Sequence, residues 1–334
     1  MVYHLRYFGA AIALFLVAGS SPAEGLVVDT AYVETALKSG ALLWDARDES
    51  DYLQGHIPGA VNIGNAGDVF RDANREDPPS ATAAAKIFGD AGMNINAREV
   101  VVYTTRGDAF AYYAARMPEY YGASHAKIYH GGIDDWKAAG KRLDTAAVKL
   151  PAVTLTLVEG KGALGNKELI ERVRTGTAQI IDTRTPKEYS GEDIRAIRGG
   201  HVPGAISIPY EQNWQDPAAA LKLASRQVSN RDGMALKSND ELKKLYANLD
   251  PSKETVIYCQ SGVRASETAA VLRDLGFKDV KVHEPSWLGY ASVLSAPAEK
   301  EVFVNIGALN GRIASLQGRV KELEGEIVKL KPAK

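Results

Sequence analysis

Residues 255–265 read TVIYCQSGVRA, and this stretch decides how the fold is interpreted. The apolar run at residues 255–258 predicts a short buried strand. Residues 265–275 follow a helical pattern that Gly276 ends. A buried strand that turns directly into a helix is typical of an α/β fold with a mainly parallel sheet.

Cys259, the only cysteine of the 334-residue chain, stands at the turn between this strand and this helix. There it lies beside unpaired amide N–H groups and the positive end of the helix dipole. Arg264 adds a positive charge at the end of the same loop. These surroundings favour the thiolate, which is the nucleophilic form of cysteine. The alternative is a small buried side chain that takes no part in chemistry.

The chain contains the surrounding pattern twice. The shared segments, first copy and then second, are residues 45–47 and 182–184 (D-x-R), 55–60 and 200–205 (GH-x-PGA), 100–103 and 255–258 (apolar strands), and Trp136 and Trp287. Helical patterns at residues 30–38, 81–89, 166–175 and 238–249 lie between the strands. A repeat of this length predicts two copies of one domain rather than a solenoid of short units.

Length and composition agree with two globular domains and additional segments. We expect domains at residues 26–148 and 166–297, joined by a linker at residues 149–165 that contains proline and several glycines. The net charge of −1 gives no reason to expect nucleic acid or an anionic membrane as a partner. We find no metal-ligand cluster and no nucleotide-binding loop in the sequence, so no cofactor is expected.

The first 23 residues are expected to be a signal peptide. Arg6 precedes an apolar run at residues 8–18 that is too short to span a bilayer. Residues 21–23 fit a small-x-small cleavage site, which predicts a mature chain from Glu24. An uncleaved anchor is the alternative. We therefore expect an exported protein, in a periplasm if the source is Gram-negative, and its lone cysteine cannot form an intrachain disulfide.

Taken together and in this order, the motifs resemble those of the rhodanese family of sulfurtransferases, over residues 26–296. The resemblance implies two tandem rhodanese-like domains, each with a mainly parallel sheet flanked by helices. In the first domain Thr104 stands opposite Cys259, the loop carries no terminal arginine, and Asp108 adds a negative charge. The first domain is therefore expected to be inactive and, as in tandem members of the family, to wall the active site of the second.

The length of the cysteine loop separates the alternatives within this resemblance. Cys259 to Arg264 spans six residues, which in the family suits a persulfide. Related phosphatases and arsenate reductases have a loop one residue longer, so sulfur transfer is favoured over phosphate chemistry. The arginines near the loop resemble the thiosulfate type more than the mercaptopyruvate type.

The resemblance also implies a role for each site residue. Cys259 and Arg264 are the catalytic residues. Arg184 is a second cation beside the substrate anion, with a salt bridge to Asp182 or Glu188 as the alternative. The other predicted residues are the substrate-binding loop of Gln260, Ser261, Gly262 and Val263 and the supporting Asp182 and Trp287.

The implied activity is transfer of sulfane sulfur from thiosulfate or a polysulfide to cyanide, a thiol or a protein cysteine. The sulfur travels as a persulfide on Cys259. The alternative is a non-enzymatic persulfide or selenium carrier that delivers to a protein partner. The second copy also has extra segments at residues 190–199 and 210–237, which form either a basic rim over the pocket or a solvated loop. The candidates for such a rim are Trp214, Arg226, Arg231 and Lys237.

Residues 302–331 are expected to form a helix with heptad repeats. β-Branched residues occupy every a position and leucine every d position of residues 306–330, a pattern that favours a parallel two-stranded coiled coil. Gly311, Gly318 and Gly325 recur on the outer face, and each costs about 1 kcal/mol of helix propensity relative to alanine. The alternatives are therefore a homodimer and a helix folded back on its own domain.

Overall fold

The computed structural model describes residues 25–123 and 126–330 and contains two α/β units of the same topology. The predicted signal peptide, residues 1–23, lies outside the described residues. The strands of the first unit are β1 (Val27–Val28), β2 (Leu42–Asp45), β3 (Val61–Asn62), β4 (Val100–Tyr103) and β5 (Lys127–Tyr129). Its helices are α1 (Thr30–Lys38), α2 (Glu49–Gln54), α3 (Ala66–Val69), α4 (Ala81–Asp90), α5 (Ala109–Tyr120) and α6 (Gly132–Ala138).

The second unit repeats this arrangement with additions. Its strands are β6 (Ala163–Leu164), β7 (Gln179–Asp182), β8 (Arg198–His201), β9 (Ile206–Ser207), β10 (Glu254–Tyr258), β11 (Asp279–His283) and β12 (Glu299–Phe303). Its helices are α7 (Asn166–Thr175), α8 (Pro186–Ser190), α9 (Ala219–Ala224), α10 (Asn239–Leu245), α11 (Val263–Asp274) and α12 (Ser286–Ser292), followed by α13 (Ile306–Leu330). Two short 3-10 helices cover Tyr210–Asn213 and Asp232–Met234.

The two five-stranded sheets have matching strand orders. The first runs β1-β5-β4-β2-β3 and the second β6-β11-β10-β7-β9. All the pairs within them are parallel, whereas β8 and β12 form a separate antiparallel pair. The predicted fold of two tandem α/β domains, each with a mainly parallel sheet flanked by helices, is confirmed. Because parallel strands deliver their carboxyl ends to one edge, the turns after β7 and β10 lie together.

Several predicted boundaries differ from the observed ones. Helix α11 begins at Val263 rather than at residue 265, so Arg264 lies in its first turn. Helix α10 ends at Leu245 instead of continuing to residue 249, although the capping box that begins it at Ser238 is present. Strand β6 lies inside the predicted linker, because Ala163 and Leu164 pair with β11 and form the edge strand of the second sheet.

The two units share a core where α5 packs against α11. Small side chains on both helices, among them Ala111 and Ala115 on α5 and Ala269 and Ala270 on α11, are buried and allow close approach. Ala270 and Val263 of the second unit belong to the same apolar cluster as the first unit's core. The first unit therefore rests directly against the helix that follows Cys259.

Helix α13 stands clear of both units. Residues 306–329 are all exposed, and the apolar heptad residues retain between 41% (Leu323) and 66% (Leu316) of their surface. A Cβ built on Gly311, Gly318 or Gly325 would meet nothing within 4 Å. The structure thus does not show the alternative in which this helix folds back on its own domain.

Across the described ranges, no helix is both long and apolar enough to traverse a bilayer.

Candidate active site

Cys259 follows the central strand β10 directly, and its side chain is 1% exposed. Backbone bonds tie its loop to the start of α12: Trp287 N–H donates to the Cys259 carbonyl at 3.0 Å and Leu288 N–H to the Gln260 carbonyl at 2.9 Å. The Cys259 N–H donates to Ser286 Oγ at 3.3 Å. The position of the thiol is therefore fixed by two segments, the loop itself and the turn before α12.

Ser286 has an uncommon backbone conformation, with φ of +47° in the left-handed region. Its hydroxyl donates to the His283 carbonyl at 2.9 Å while it accepts from Cys259 N–H. These bonds stabilise the strained turn, and strain of this kind is common at functional sites. Sequence reasoning missed Ser286, because an isolated serine after a strand carries no motif.

The loop after Cys259 presents its backbone amides. Gly262 has φ of +86° and precedes the first turn of α11, a conformation that favours glycine. In the described part of the chain, the N–H groups of Gln260, Ser261 and Gly262 donate to no acceptor. Such free donors at a helix N-terminus can bind an anionic sulfur group.

The positive charge of Arg264 is neutralised by a buried carboxylate, that of Glu188. Its guanidinium donates to both oxygens of Glu188, at 2.7 and 2.8 Å. Burial alone would raise the pKa of Glu188, but the bonds and the charge of Arg264 outweigh burial and lower this pKa to about 2. Glu188 also caps α8 with Thr185. Arg264 is thus held rigidly beside the loop by a buried carboxylate.

Arg184, the predicted substrate cation, lies in a closed cluster instead. Its guanidinium donates to Asp182 at 2.7–3.1 Å and to the Gly200 carbonyl at 2.6 Å. It stacks 4.7 Å from the centroid of the Trp287 ring, and Trp287 Nε1–H donates to the Arg198 carbonyl. These contacts match the alternative of a salt bridge to Asp182, and the substrate-binding role of Arg184 stays a prediction.

The first domain contains the same cluster without a cysteine. Arg47 donates to Asp45 and to the Gly55 carbonyl, and Tyr103 Oη–H donates to Asp45 at 2.6 Å. Tyr258 Oη–H makes the equivalent bond to Asp182 at 2.7 Å. Because both copies keep the Asp–Arg–Tyr cluster, it agrees with a supporting role for Asp182, which stays a prediction, as does that of Trp287.

Residues of the extra segment at 210–237 pack against the turn at residues 104–109 of the first domain, which corresponds to the Cys259 loop. A Cβ on Gly107 would lie 2.5 Å from Met234 Cβ, and Arg231 Nη1 donates to the Arg106 carbonyl at 3.4 Å. Trp214 is buried and donates to Glu267 at 2.9 Å. The segment therefore combines buried residues, among them Trp214 and Met234, with an exposed stretch at residues 224–230. Only Arg226 of the four proposed rim residues is exposed, and Met234 blocks the turn where Thr104 stands.

The first domain contributes two arginines to the cysteine loop that sequence reasoning did not identify. Arg116 pairs with Glu284 and donates to Ser266 Oγ at 3.1 Å, and Ser266 in turn donates to the Gly262 carbonyl. Arg71 Nη2 lies 3.5 Å from the Ser261 carbonyl oxygen. No sequence motif signals either residue.

Within the described ranges, no group of three or more His, Cys, Asp or Glu is placed to hold a metal.

Comparisons with known proteins give the same family for both halves. A model of the rhodanese-like domain matches residues 29–139 and 165–292. The putative thiosulfate sulfurtransferase of Mycolicibacterium smegmatis is 32% identical over 289 residues, covering 82% of this chain and 97% of the relative. The thiosulfate sulfurtransferase of Corynebacterium glutamicum is 30% identical over 290 residues, covering 82% and 90%.

Solved structures show the same fold at lower identity. The 3-mercaptopyruvate sulfotransferase SseA of Escherichia coli superposes with a TM-score of 0.66 at 24% identity, over 79% of this chain and 99% of that one. The anaerobic ergothioneine biosynthesis enzyme of Chlorobium limicola has a TM-score of 0.66 at 20% identity, over 82% and 69%. Both lie under 25% identity and bear on the fold alone.

Proposed function

The chain belongs to the rhodanese family of sulfurtransferases, and from that premise we propose that it moves the outer sulfur of thiosulfate through a persulfide on Cys259. Relatives at 30–32% identity over most of both chains bear the name thiosulfate sulfurtransferase. The acceptor is cyanide, a thiol or a protein cysteine, and a polysulfide is the alternative donor. The two proposed half-reactions can be written without a cofactor.

In the first half-reaction the Cys259 thiolate attacks the outer sulfur of thiosulfate. A sulfur–sulfur bond forms to Cys259, the bond between the two thiosulfate sulfurs breaks, and its electron pair leaves with sulfite. In the second half-reaction cyanide attacks the outer sulfur of the persulfide. Thiocyanate leaves and the Cys259 thiolate returns, so charge balances in both steps.

The observation that carries this proposal is the set of free amides around a fixed thiol. The N–H groups of Gln260, Ser261 and Gly262 have no acceptor in the described structure, and Gly262 takes the left-handed conformation directly before α11. Preorganised donors of this kind stabilise negative charge as it develops on the bound sulfur. Cys259 is the only thiol of the chain, so a resolving thiol must come from another molecule.

Sulfite release without an acceptor tests the proposal. A double-displacement mechanism predicts about one sulfite per chain when thiosulfate is mixed with the protein alone, because the persulfide then waits for an acceptor. Cyanide added afterwards should release an equal amount of thiocyanate. A lack of sulfite under these conditions, or sulfite that appears only when cyanide is present from the start, would argue against it.

The carrier alternative keeps one specific observation in its favour. The exposed apolar face of α13 offers a surface that could hold a protein partner while Cys259 delivers its sulfur. Repeated turnover with free thiosulfate and cyanide favours the enzyme. Loading of one sulfur without turnover favours the carrier.

Export to a periplasm is a further part of the proposal. It rests on Arg6, on the short apolar run at residues 8–18 and on the small residues at 21–23. A mature chain that begins at Glu24 follows from this proposal.

We also propose that α13 joins two copies of the chain in a parallel coiled coil. The described a and d residues form an exposed apolar seam, and in a parallel pair Arg319 would face Glu324 of the second copy. A helix with this much exposed apolar surface is stabilised by burying the seam against an identical one.

Light scattering of the full chain tests this pairing. We expect the mass of a dimer, and Leu316→Asp should give a monomer because it places a charge in the seam. Gly318→Ala, on the outer face, is the matched control and should tighten the dimer, since it gains about 1 kcal/mol of helix propensity per copy. A monomeric wild-type chain would contradict the proposal.

A further inference from the structure

The arginines around the Cys259 loop differ in how their charges are matched. Three of them pair with carboxylates whose side chains are between 0% and 11% exposed. These pairs are Arg264 with Glu188, Arg184 with Asp182, and Arg116 with Glu284. Arg71 instead pairs with Glu76, whose side chain is 38% exposed.

This difference decides which pair a substrate anion can open. Breaking a buried pair leaves an uncompensated charge away from water and is strongly unfavourable. An ion pair with one solvent-exposed partner contributes little to stability, because water can solvate the carboxylate when the pair opens. Arg71 can therefore exchange Glu76 for an incoming anion, whereas the three buried pairs stay closed.

Arg71 is also placed at the loop. Its Nη2 lies 3.5 Å from the Ser261 carbonyl oxygen, and its guanidinium stacks 5.7 Å from the centroid of the Tyr113 ring. Burial lowers the pKa of Arg71, and the nearby Glu284 carboxylate and Cys259 thiolate partly offset this, which puts the guanidinium within electrostatic range of the Cys259 sulfur. A guanidinium here would meet the sulfonate end of a donor whose outer sulfur reaches Cys259.

The turn that carries Arg71 is ordered by its own hydrogen bonds. Asp72 Oδ1 accepts from the N–H groups of Asn74 at 2.8 Å and Arg75 at 2.6 Å. The Asp72 carbonyl accepts from Glu76 N–H at 3.1 Å. The first domain thus presents Arg71 from a fixed turn rather than from a loose loop.

We infer that Arg71 of the inactive first domain binds the sulfonate oxygens of thiosulfate, exchanging Glu76 for the substrate. The inference rests on the proposed function, since it assumes that thiosulfate is the donor. Arginine suits this task because its planar donors match two oxygens of an oxyanion at once. The first domain would then provide substrate recognition although it has no nucleophile.

Steady-state kinetics of the full chain with thiosulfate and cyanide test this assignment. Arg71→Ala should raise KM for thiosulfate by about tenfold or more, with a smaller change in kcat, because a charge-assisted contact to the ground-state anion is lost. Arg71→Lys should lie in between. Arg75→Ala, four residues away on the exposed side of the same turn, is the matched control and should leave KM unchanged.

Glu76→Gln separates substrate binding from a structural role and remains informative if Arg71→Ala fails to fold. If Arg71 binds substrate, removing its competing carboxylate should lower KM for thiosulfate. If the pair only holds the turn, Glu76→Gln should impair the protein as Arg71→Ala does, and that result would overturn the inference.

A comparison of donors and cations completes the test. The KM increase in Arg71→Ala should be larger for the thiosulfate dianion than for an alkyl thiosulfonate, a monoanion with the same outer sulfur. Arg195, 53% exposed and 3.3 Å from Glu188, is the competing cation. A larger KM increase in Arg195→Ala than in Arg71→Ala would overturn the inference. Wild-type protein that releases no sulfite would instead refute the proposed function itself.

Discussion

Cys259→Ser is expected to abolish sulfur transfer from thiosulfate to cyanide, with a fall in turnover of at least about a thousandfold. A serine hydroxyl is not ionised in this pH range and cannot hold sulfane sulfur, so both half-reactions lose their nucleophile. The change replaces one small atom by another at a buried position, and the backbone bonds that fix the loop remain. Thiocyanate formation measures the loss, and circular dichroism checks that the fold is kept.

The internal repeat supplies the control for this experiment. Thr104 occupies the matching turn of the first domain, which Met234 fills. Thr104→Ala should therefore leave turnover unchanged. If Cys259→Ser retained wild-type turnover, the persulfide mechanism would be wrong.

Arg116→Met is expected to destabilise the protein by about 3–5 kcal/mol, because it leaves Glu284 buried without its counter-charge. Arg116 and Glu284 are 8% and 11% exposed, with their closest atoms 2.6 Å apart. Arg116 also donates to Ser266 Oγ, and the Ser266 hydroxyl donates to the Gly262 carbonyl in the cysteine loop. Sulfur transfer should therefore fall along with stability. Urea unfolding and thiocyanate formation measure the two effects.

The double variant Arg116→Met with Glu284→Leu is the control. Replacing both members of a buried ion pair by apolar residues is often neutral or stabilising, so unfolding free energy should return to within about 1 kcal/mol of wild type. A single variant as stable as the double one would show that this pair does not hold the two domains together.

Much of the fold follows from sequence because local patterns determine it. The apolar runs before Asp45 and Asp182 and the helices α1 and α7 were predicted at their observed positions. Helix α11 begins two residues earlier than predicted, because the left-handed turn at Gly262 brings Val263 into the first turn.

Arg184 shows how one motif allows two interpretations, a substrate-binding cation and a salt bridge. The D-x-R spacing places the arginine two residues from its own aspartate, and its side chain donates to Asp182. The first copy, with Arg47 on Asp45, already had this arrangement without a cysteine to serve. That repeat was the signal for a structural role.

The residues that sequence reasoning missed come from distant parts of the chain. Arg71 meets Ser261 across 190 positions, and Arg116 meets Glu284 across 168. Met234 enters the loop at Gly107 from an insertion without periodicity. Such contacts depend on how the two domains pack, and no local pattern encodes that packing.

Mass spectrometry of the intact chain after incubation with thiosulfate tests the central claim most directly. We expect one added sulfur atom per chain, located on the peptide that contains Cys259, removed by cyanide and absent from Cys259→Ser. A chain of unchanged mass, or an added sulfonate in place of a single sulfur, would contradict it.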